Sequence, residues 1–156
     1  MFMILKNKWL SFVLFIMTVF SASTYAQSVT TASGYADGYV LRATQQGNMI
    51  KVDLRFEAQV DGYSGETIYQ SPSSTSWQQD FYVEINGKRY PLSIDSEGKY
   101  QAPESLKLTF CYNTQKNPRV GSWRGIFTGP NSAVDTINVA LPNLPLIQNV
   151  PVSQIH

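Results

Sequence analysis

The residues that could carry out covalent chemistry are few. The chain of 156 residues contains one cysteine, Cys111 in KLTFCYN, and one histidine, His156, at the last position. A thiol or hydroxyl nucleophile needs a base in a fixed place beside it, and zinc needs three or four nitrogen or sulfur ligands. No Asp-rich calcium loop or phosphate-binding glycine motif is present. We therefore expect no metal, no cofactor and no nucleophilic catalysis.

Paired carboxylates are the remaining route to an enzyme. Asp61 with Glu66, and Asp95 with Glu97, lie close together in the sequence, within segments typical of turns. A glycosidase places its two carboxyl groups about 5 to 10 Å apart across a sugar-binding cleft. The pattern here is that of solvated turn acids, so we expect a protein that is not an enzyme.

Aromatic residues make up 13% of the chain and favour binding as its activity. Tyrosine and tryptophan are the residues preferred where a surface contacts protein or sugar, although most aromatic residues of a β protein pack in its core. Those in turn segments are the best surface candidates. They are Tyr63 in DGYSGE, Trp77 in SSTSWQQ and Tyr100 in EGKYQAP.

Two segments, SGETIY (64–69) and DSEGKYQAP (95–103), resemble the Ser-Gly…Tyr loops of the periplasmic lysozyme inhibitors, which are small exported β-sandwich proteins. The spacing from Gly65 to Tyr69 is longer than in that family, and Glu97 follows Ser96 where the family has glycine. The resemblance implies that Ser64 and Tyr69 enter the active cleft of a lysozyme. Inhibition of a cell-wall hydrolase is thus the alternative to a general binding role.

The first 26 residues predict export. Lys6 and Lys8 precede an apolar run over 10–20, and small residues at Thr24 and Ala26 form a cleavage site. A membrane anchor needs about 20 consecutive apolar residues, and the run ends sooner, at Ser21. We expect cleavage after Ala26, no membrane insertion of the mature chain, and a bacterial protein of the periplasm or the medium, with a role such as adhesion, export or host interaction.

The charge of the mature chain disfavours a nucleic-acid partner. Removal of Lys6 and Lys8 leaves ten basic residues against eleven acidic ones, a net charge of −1. Phosphate binding needs a clustered basic surface. The expected partner is therefore a protein or a glycan, and the oligomeric state stays open.

The alternation of side chains predicts an all-β fold. Residues 49–60 alternate apolar and polar side chains over twelve positions and form a predicted hairpin with 34–43. Asn86-Gly87 predicts a two-residue type I′ turn between a second pair of strands. Further strands are expected near 105–112, 122–128 and 134–141. Residues 69–80 are expected to form a loop, and no helix is predicted. About seven strands favour a single antiparallel, immunoglobulin-like β-sandwich, with a small β-barrel as the alternative.

Two features at the end of the chain leave alternatives open. Cys111 is expected on the opposite strand face from Leu108 and Phe110, either as a small buried side chain or as half of an intermolecular disulfide. The β domain is assigned to residues 27–141. Prolines interrupt the alternation of 142–156, which predicts an extended arm that lies on the domain surface or adds a strand to a partner.

Overall fold

The computed structural model describes residues 27–156, so the predicted leader and its cleavage site lie outside the described residues. The described chain is mostly β-strand, with one short helix. No helix within residues 27–156 has the length and apolar character needed to cross a membrane. The elements are β1 (Ser28–Thr30), β2 (Ala36–Gln46), β3 (Met49–Ala58), β4 (Glu66–Gln70), α1 (Ser74–Gln79), β5 (Tyr82–Ile85), β6 (Lys88–Pro91), β7 (Ser105–Leu108), β8 (Arg119–Thr128), β9 (Thr136–Ala140), β10 (Ile147–Pro151) and β11 (Ser153–Gln154).

The first sheet has the order β1-β2-β3-β8, with antiparallel neighbours, and β11 adds to β2 in parallel. The predicted hairpin of β2 and β3 is confirmed, with Ala36 opposite Ala58 and Gln46 opposite Met49. The apolar face of β3 is buried, as its alternation predicts. One face of this sheet therefore packs on the core, and the other carries polar side chains.

The second sheet has the order β10-β9-β5-β6, and β4 pairs with β7 in a separate two-stranded sheet. The predicted Asn86-Gly87 turn is confirmed, because these residues adopt φ values of 51° and 79° and set Glu84 opposite Arg89. Positive φ at both central residues is the geometry of a type I′ turn. The antiparallel all-β prediction is confirmed, and the barrel alternative is wrong because the sheets do not close on themselves.

A single buried cluster connects the sheets. It includes Phe56 from β3, Val83 from β5, Leu106 from β7 and Trp123 from β8. Because side chains alternate across a strand, β3, β5 and β7 contribute every second residue to the cluster, and a bulge near Val120 interrupts this alternation in β8. The packing of this core fixes the positions of the strand ends, and therefore of the loops that connect them.

Helix α1 corrects the prediction that residues 69–80 form a loop without helix. The Ser73 side chain caps the helix by accepting a hydrogen bond from the Ser76 backbone N–H at 3.1 Å. A helix of six residues is not stable by itself, since nucleation costs more than a single turn returns. Contacts of Trp77 with the core, rather than sequence periodicity, hold this turn in place.

The C-terminal residues 142–156 form hydrogen bonds with their own domain. Ile147 and Val150 are buried in β10, and Ser153 pairs with Thr44 of β2. Pro151 ends β10, where a missing backbone N–H does least harm. The arm therefore completes both main sheets of the same molecule.

Candidate functional site

The predicted surface residue Tyr63 is a core residue instead. Only 3% of it is exposed, its hydroxyl donates to Glu66 at 2.8 Å, and its carbonyl accepts from the backbone N–H of Cys111. The neighbouring Ser64 is exposed. At Gly65, which has φ of +88°, a side chain would collide with the carbonyl of Leu108, so the loop is pressed against β7. The expectation that Tyr63 is available to a partner is wrong.

Glu66 is a hydrogen-bond centre that the sequence did not reveal. It accepts from the hydroxyls of Thr31 at 2.5 Å and Ser33 at 2.6 Å, as well as from Tyr63. Burial by itself raises the pKa of Glu66, but these hydrogen bonds outweigh burial and hold the pKa below its usual value. Burial and the negative charge of Glu66 raise the pKa of Tyr63. This carboxylate therefore binds the Ser33 turn to the Tyr63 loop.

The other predicted turn acids are also occupied by local hydrogen bonds. Asp61 accepts from the backbone N–H of Thr114 at 2.7 Å and from its hydroxyl at 2.9 Å, and these bonds lower the pKa of Asp61. Asp95 accepts from the backbone N–H groups of Glu97 and Lys99, each at 2.9 Å. These are contacts that stabilise turns.

Three of the five predicted site residues meet in one aromatic cluster around Phe81. Trp77 stacks on Tyr100, with ring centroids 5.1 Å apart and an interplanar angle of 11°. Trp77 also stacks on Phe81 at 4.7 Å, and Tyr69 meets Phe81 edge-on at 5.0 Å. Trp77 and Tyr100 are half-buried, so they cover the cluster rather than project from it. Such pairs contribute about 0.5 to 1.5 kcal/mol beyond the area they bury.

Tyr69 is enclosed beneath this cluster. Only 5% of the residue is exposed; its hydroxyl accepts from the Trp123 indole N–H at 2.8 Å and donates to the Pro103 carbonyl at 2.6 Å. Burial raises the pKa of Tyr69 to about 12. The side chain cannot enter the cleft of a lysozyme in this conformation, so the role that the resemblance implied for Tyr69 lacks its structural basis.

The exposed aromatic residues are ones that the sequence analysis did not select. Tyr112 is 80% exposed, Phe110 60% and Tyr35 56%, and Val60 is also exposed. Their backbones are close, because the Gln59 N–H donates to the Tyr35 carbonyl and the Gly62 N–H donates to the Tyr112 carbonyl. We call Tyr35, Val60, Phe110 and Tyr112 the Tyr112 surface.

Cys111 explains why its two aromatic neighbours face outward. Strand β7 ends at Leu108, earlier than predicted, and Cys111 then pairs with Tyr63 as an isolated bridge. The thiol is free and buried, and it donates to the Asn117 carbonyl at 3.3 Å. With Cys111 inward, alternation places Phe110 and Tyr112 on the opposite side. The expected phase, which put Phe110 on the face of Leu108, is wrong because β7 ends at Leu108 and its alternation does not continue through Thr109 and Phe110. An intermolecular disulfide would require this sulfur to leave the core.

Within residues 27–156, no group of three or more histidine, cysteine or acidic side chains is arranged to hold a metal ion. No protein-family model, curated protein or solved structure matches the chain. The case for a function therefore depends on the chemistry of the described residues.

Proposed function

We propose that the chain is an exported, non-catalytic binding protein that acts in the periplasm or outside the cell and contacts a protein partner through the Tyr112 surface. The observation that carries this proposal is the exposure of Phe110 and Tyr112 on a backbone that the buried Cys111 holds in place. Exposed aromatic rings on a fixed backbone lose little conformational entropy when they bind.

The composition of the surface favours a protein partner over a sugar. Isolated exposed apolar residues are ordinary in folded proteins, but a group of them at one end of a domain is typical of an interaction site. Tyr35 and Tyr112 combine apolar area with a hydroxyl, as interface residues commonly do. Phe110 offers no hydrogen bond to a sugar, and it fits an apolar pocket of a protein.

The positions of the reactive groups support a non-catalytic role. Cys111 is buried, and the carboxylates of Asp61 and Glu66 accept hydrogen bonds that hold loops together. His156 lies at the exposed end of the chain, beyond β11. A buried thiol and carboxylates that are already hydrogen-bonded in loops are not arranged as a nucleophile and its base.

For the fold, we infer that the five-stranded sheet and the four-stranded sheet pack face to face as an immunoglobulin-like sandwich. The support is the shared buried cluster, to which Phe56 of the first sheet and Val83 and Val139 of the second contribute. Each of these sheets has one apolar face, which a sandwich buries between them.

Binding is tested by capture from the periplasm or medium of the source bacterium on immobilised exported protein. The double variant Phe110→Ser/Tyr112→Ser is expected to weaken capture of the specific partner about thirtyfold or more, since a single interface aromatic at the centre of the contact contributes about 2 kcal/mol. Its melting temperature should stay close to that of the unchanged protein, because both side chains are exposed. Export itself is tested by intact mass, with a species beginning at Gln27 expected.

Ile94→Ser is the matched control. Ile94 is 53% exposed but lies at the other end of β8, because Ser93 pairs with Ile126 whereas Thr109 pairs with Val120. Six residues of a strand separate these contacts by about 20 Å. The proposed surface is contradicted if Ile94→Ser and the double variant weaken capture of the partner equally. It is also contradicted if neither variant weakens capture.

A further inference from the structure

Three arginines line one cleft on the polar face of the first sheet. The cleft has a volume of about 430 Å³ and is lined by Arg42, Arg119 and Arg124, with Asp53 as the only acidic residue. Leu41 and Pro103 form apolar parts of its wall. Ligand pockets for small molecules start at about 300 Å³. The cleft thus combines an excess of positive charge with room for a small organic molecule.

Asp53 orients two of the arginines and leaves donors free. Asp53 lies directly opposite Arg42 of β2 and Arg124 of β8. Arg42 donates to it from Nη2 at 2.9 Å and from Nε at 3.2 Å, and Arg124 donates from Nε. Burial alone would raise the pKa of Asp53, but both arginines together lower it, so the carboxylate stays ionised.

A guanidinium has five N–H donors, of which Asp53 takes only one from Arg124 and two from Arg42. The two Nη groups of Arg124 have no hydrogen-bond partner among residues 27–156, and they form the fork that binds a carboxylate in a bidentate manner. The side chains of Arg42 and Arg124 are 57% and 59% exposed. Arg119 makes no side-chain hydrogen bond in the described part of the chain.

The edge of β8 at the cleft is also unpaired. On the side of β8 that faces away from β3, the Ile126 N–H donates to the Gln101 carbonyl and the Ile126 carbonyl accepts from the Ser93 N–H. By alternation, the backbone groups of Arg124 and Ser122 face the same side. No backbone group within residues 27–156 pairs with them there, because the segment around Pro103 leaves the edge of β8 to join β4. Ser122, Arg124 and Pro103 also line the cleft, so the cleft extends to this gap.

We propose that this cleft binds the carboxylate of a small apolar organic acid. The carboxylate lies on the free Nη groups of Arg124 with Arg42 and Arg119 beside it, and the apolar part packs against Leu41 and Pro103. The net positive lining selects an anion, and the apolar wall selects an acyl or amino-acid side chain over a sugar ring. The site shares no residue with the Tyr112 surface, so the two proposals stand or fall separately.

The test is an NMR titration of the ¹⁵N-labelled exported protein with N-acetyl-leucine. Amide signals of Ser122 and Arg124 are expected to shift and saturate. N-acetyl-leucinamide, which lacks the charge, should bind with an affinity at least about tenfold lower than that of N-acetyl-leucine. Glucuronate, which lacks the apolar group, should bind with an affinity at least about threefold lower.

Matched arginine variants locate the site. Arg124→Gln should weaken N-acetyl-leucine binding about tenfold, and Arg119→Gln, which breaks no hydrogen bond of the described fold, by about threefold or more. Arg55→Gln is the control, since Arg55 pairs with Glu57 on the same face but does not line the cleft. The proposal is overturned if N-acetyl-leucinamide or glucuronate binds as tightly as N-acetyl-leucine. It is also overturned if Arg55→Gln and Arg119→Gln weaken the binding of N-acetyl-leucine equally. Retained binding in the Phe110→Ser/Tyr112→Ser protein is expected.

Discussion

Removal of a single oxygen, in Tyr69→Phe, tests whether Tyr69 is a structural residue. The substitution keeps the ring and its contact with Phe81, but it removes the acceptor of the Trp123 indole N–H and the donor to the Pro103 carbonyl. Trp123 is buried, so its N–H finds no water in place of the lost oxygen. We expect the folded state to lose stability without losing its packing.

The magnitude follows from the two hydrogen bonds. Each contributes about 0.5 to 1.5 kcal/mol net, and a buried donor left without a partner costs about 1 to 3 kcal/mol. The expected loss in the free energy of unfolding is therefore about 2 to 3 kcal/mol. For a domain of this size, 1 kcal/mol lowers the melting temperature by about 4 °C, so a decrease of about 8 to 12 °C is expected.

Urea unfolding followed by circular dichroism measures this loss, and Trp123 fluorescence reports the changed environment of the indole. Tyr112→Phe is the matched control: Tyr112 is exposed, its hydroxyl has no hydrogen-bond partner within residues 27–156, and a change within about 0.5 kcal/mol is expected. If Tyr69→Phe is as mild as the control, the Tyr69 hydroxyl is not buried and hydrogen-bonded. The cleft-entering role implied by the lysozyme-inhibitor resemblance would then be open again.

The pH dependence of stability gives a second readout for the same substitution. Folding raises the pKa of Tyr69 to about 12, above its ordinary value of 10.0, so the fold favours the protonated phenol. The stability from this group is fully present below pH 10 and is lost as the pH rises toward 12. Tyr69→Phe should therefore lose less stability than the unchanged protein over that interval.

Two further substitutions test the polar contacts that hold the loops. Gln45→Leu removes a buried amide whose two N–H donors lie among three backbone carbonyls at 2.9 to 3.0 Å and whose oxygen accepts from the Val134 N–H. It should cost about 3 to 5 kcal/mol in urea unfolding, whereas the exposed Gln46→Leu should change stability by less than about 0.5 kcal/mol. Glu66 has a lowered pKa, so its contribution is present above the ordinary value of 4.5 and is lost as the pH falls through the folded-state pKa. Glu66→Gln should accordingly show a smaller decrease in melting temperature between pH 5 and pH 3, and an unchanged decrease would contradict this role of Glu66.

The hairpins could be predicted because their signals are local. The alternation of β3 and the Asn86-Gly87 turn depend on neighbouring residues, and both hairpins were confirmed. Helix α1 was missed because its six residues have no periodicity to detect. Its helical state depends on the stacking of Trp77 on Tyr100, which is distant in sequence.

The candidate binding residues were predicted less well than the strands. Tyr63 was selected because it lies in a turn segment and Tyr69 because of the lysozyme-inhibitor resemblance, yet both are buried. Phe110 and Tyr112 are exposed although a continuous strand was expected there. The end of the alternation at Leu108 has no signal in KLTFCYN, because the residues that follow are held by distant partners, Thr109 by Val120 and Cys111 by Tyr63.

The sequence by itself determined the β character of this protein, its two hairpins and the scarcity of catalytic side chains, because these follow from composition and from contacts between near neighbours. Only the tertiary structure decided which aromatic rings face solvent and which carboxylates accept hydrogen bonds from other loops. Tyr69 meets Trp123 across 54 positions, and Glu66 meets Thr31 across 35. Burial and hydrogen-bond satisfaction depend on such distant partners, and a local pattern of residue types contains no record of them.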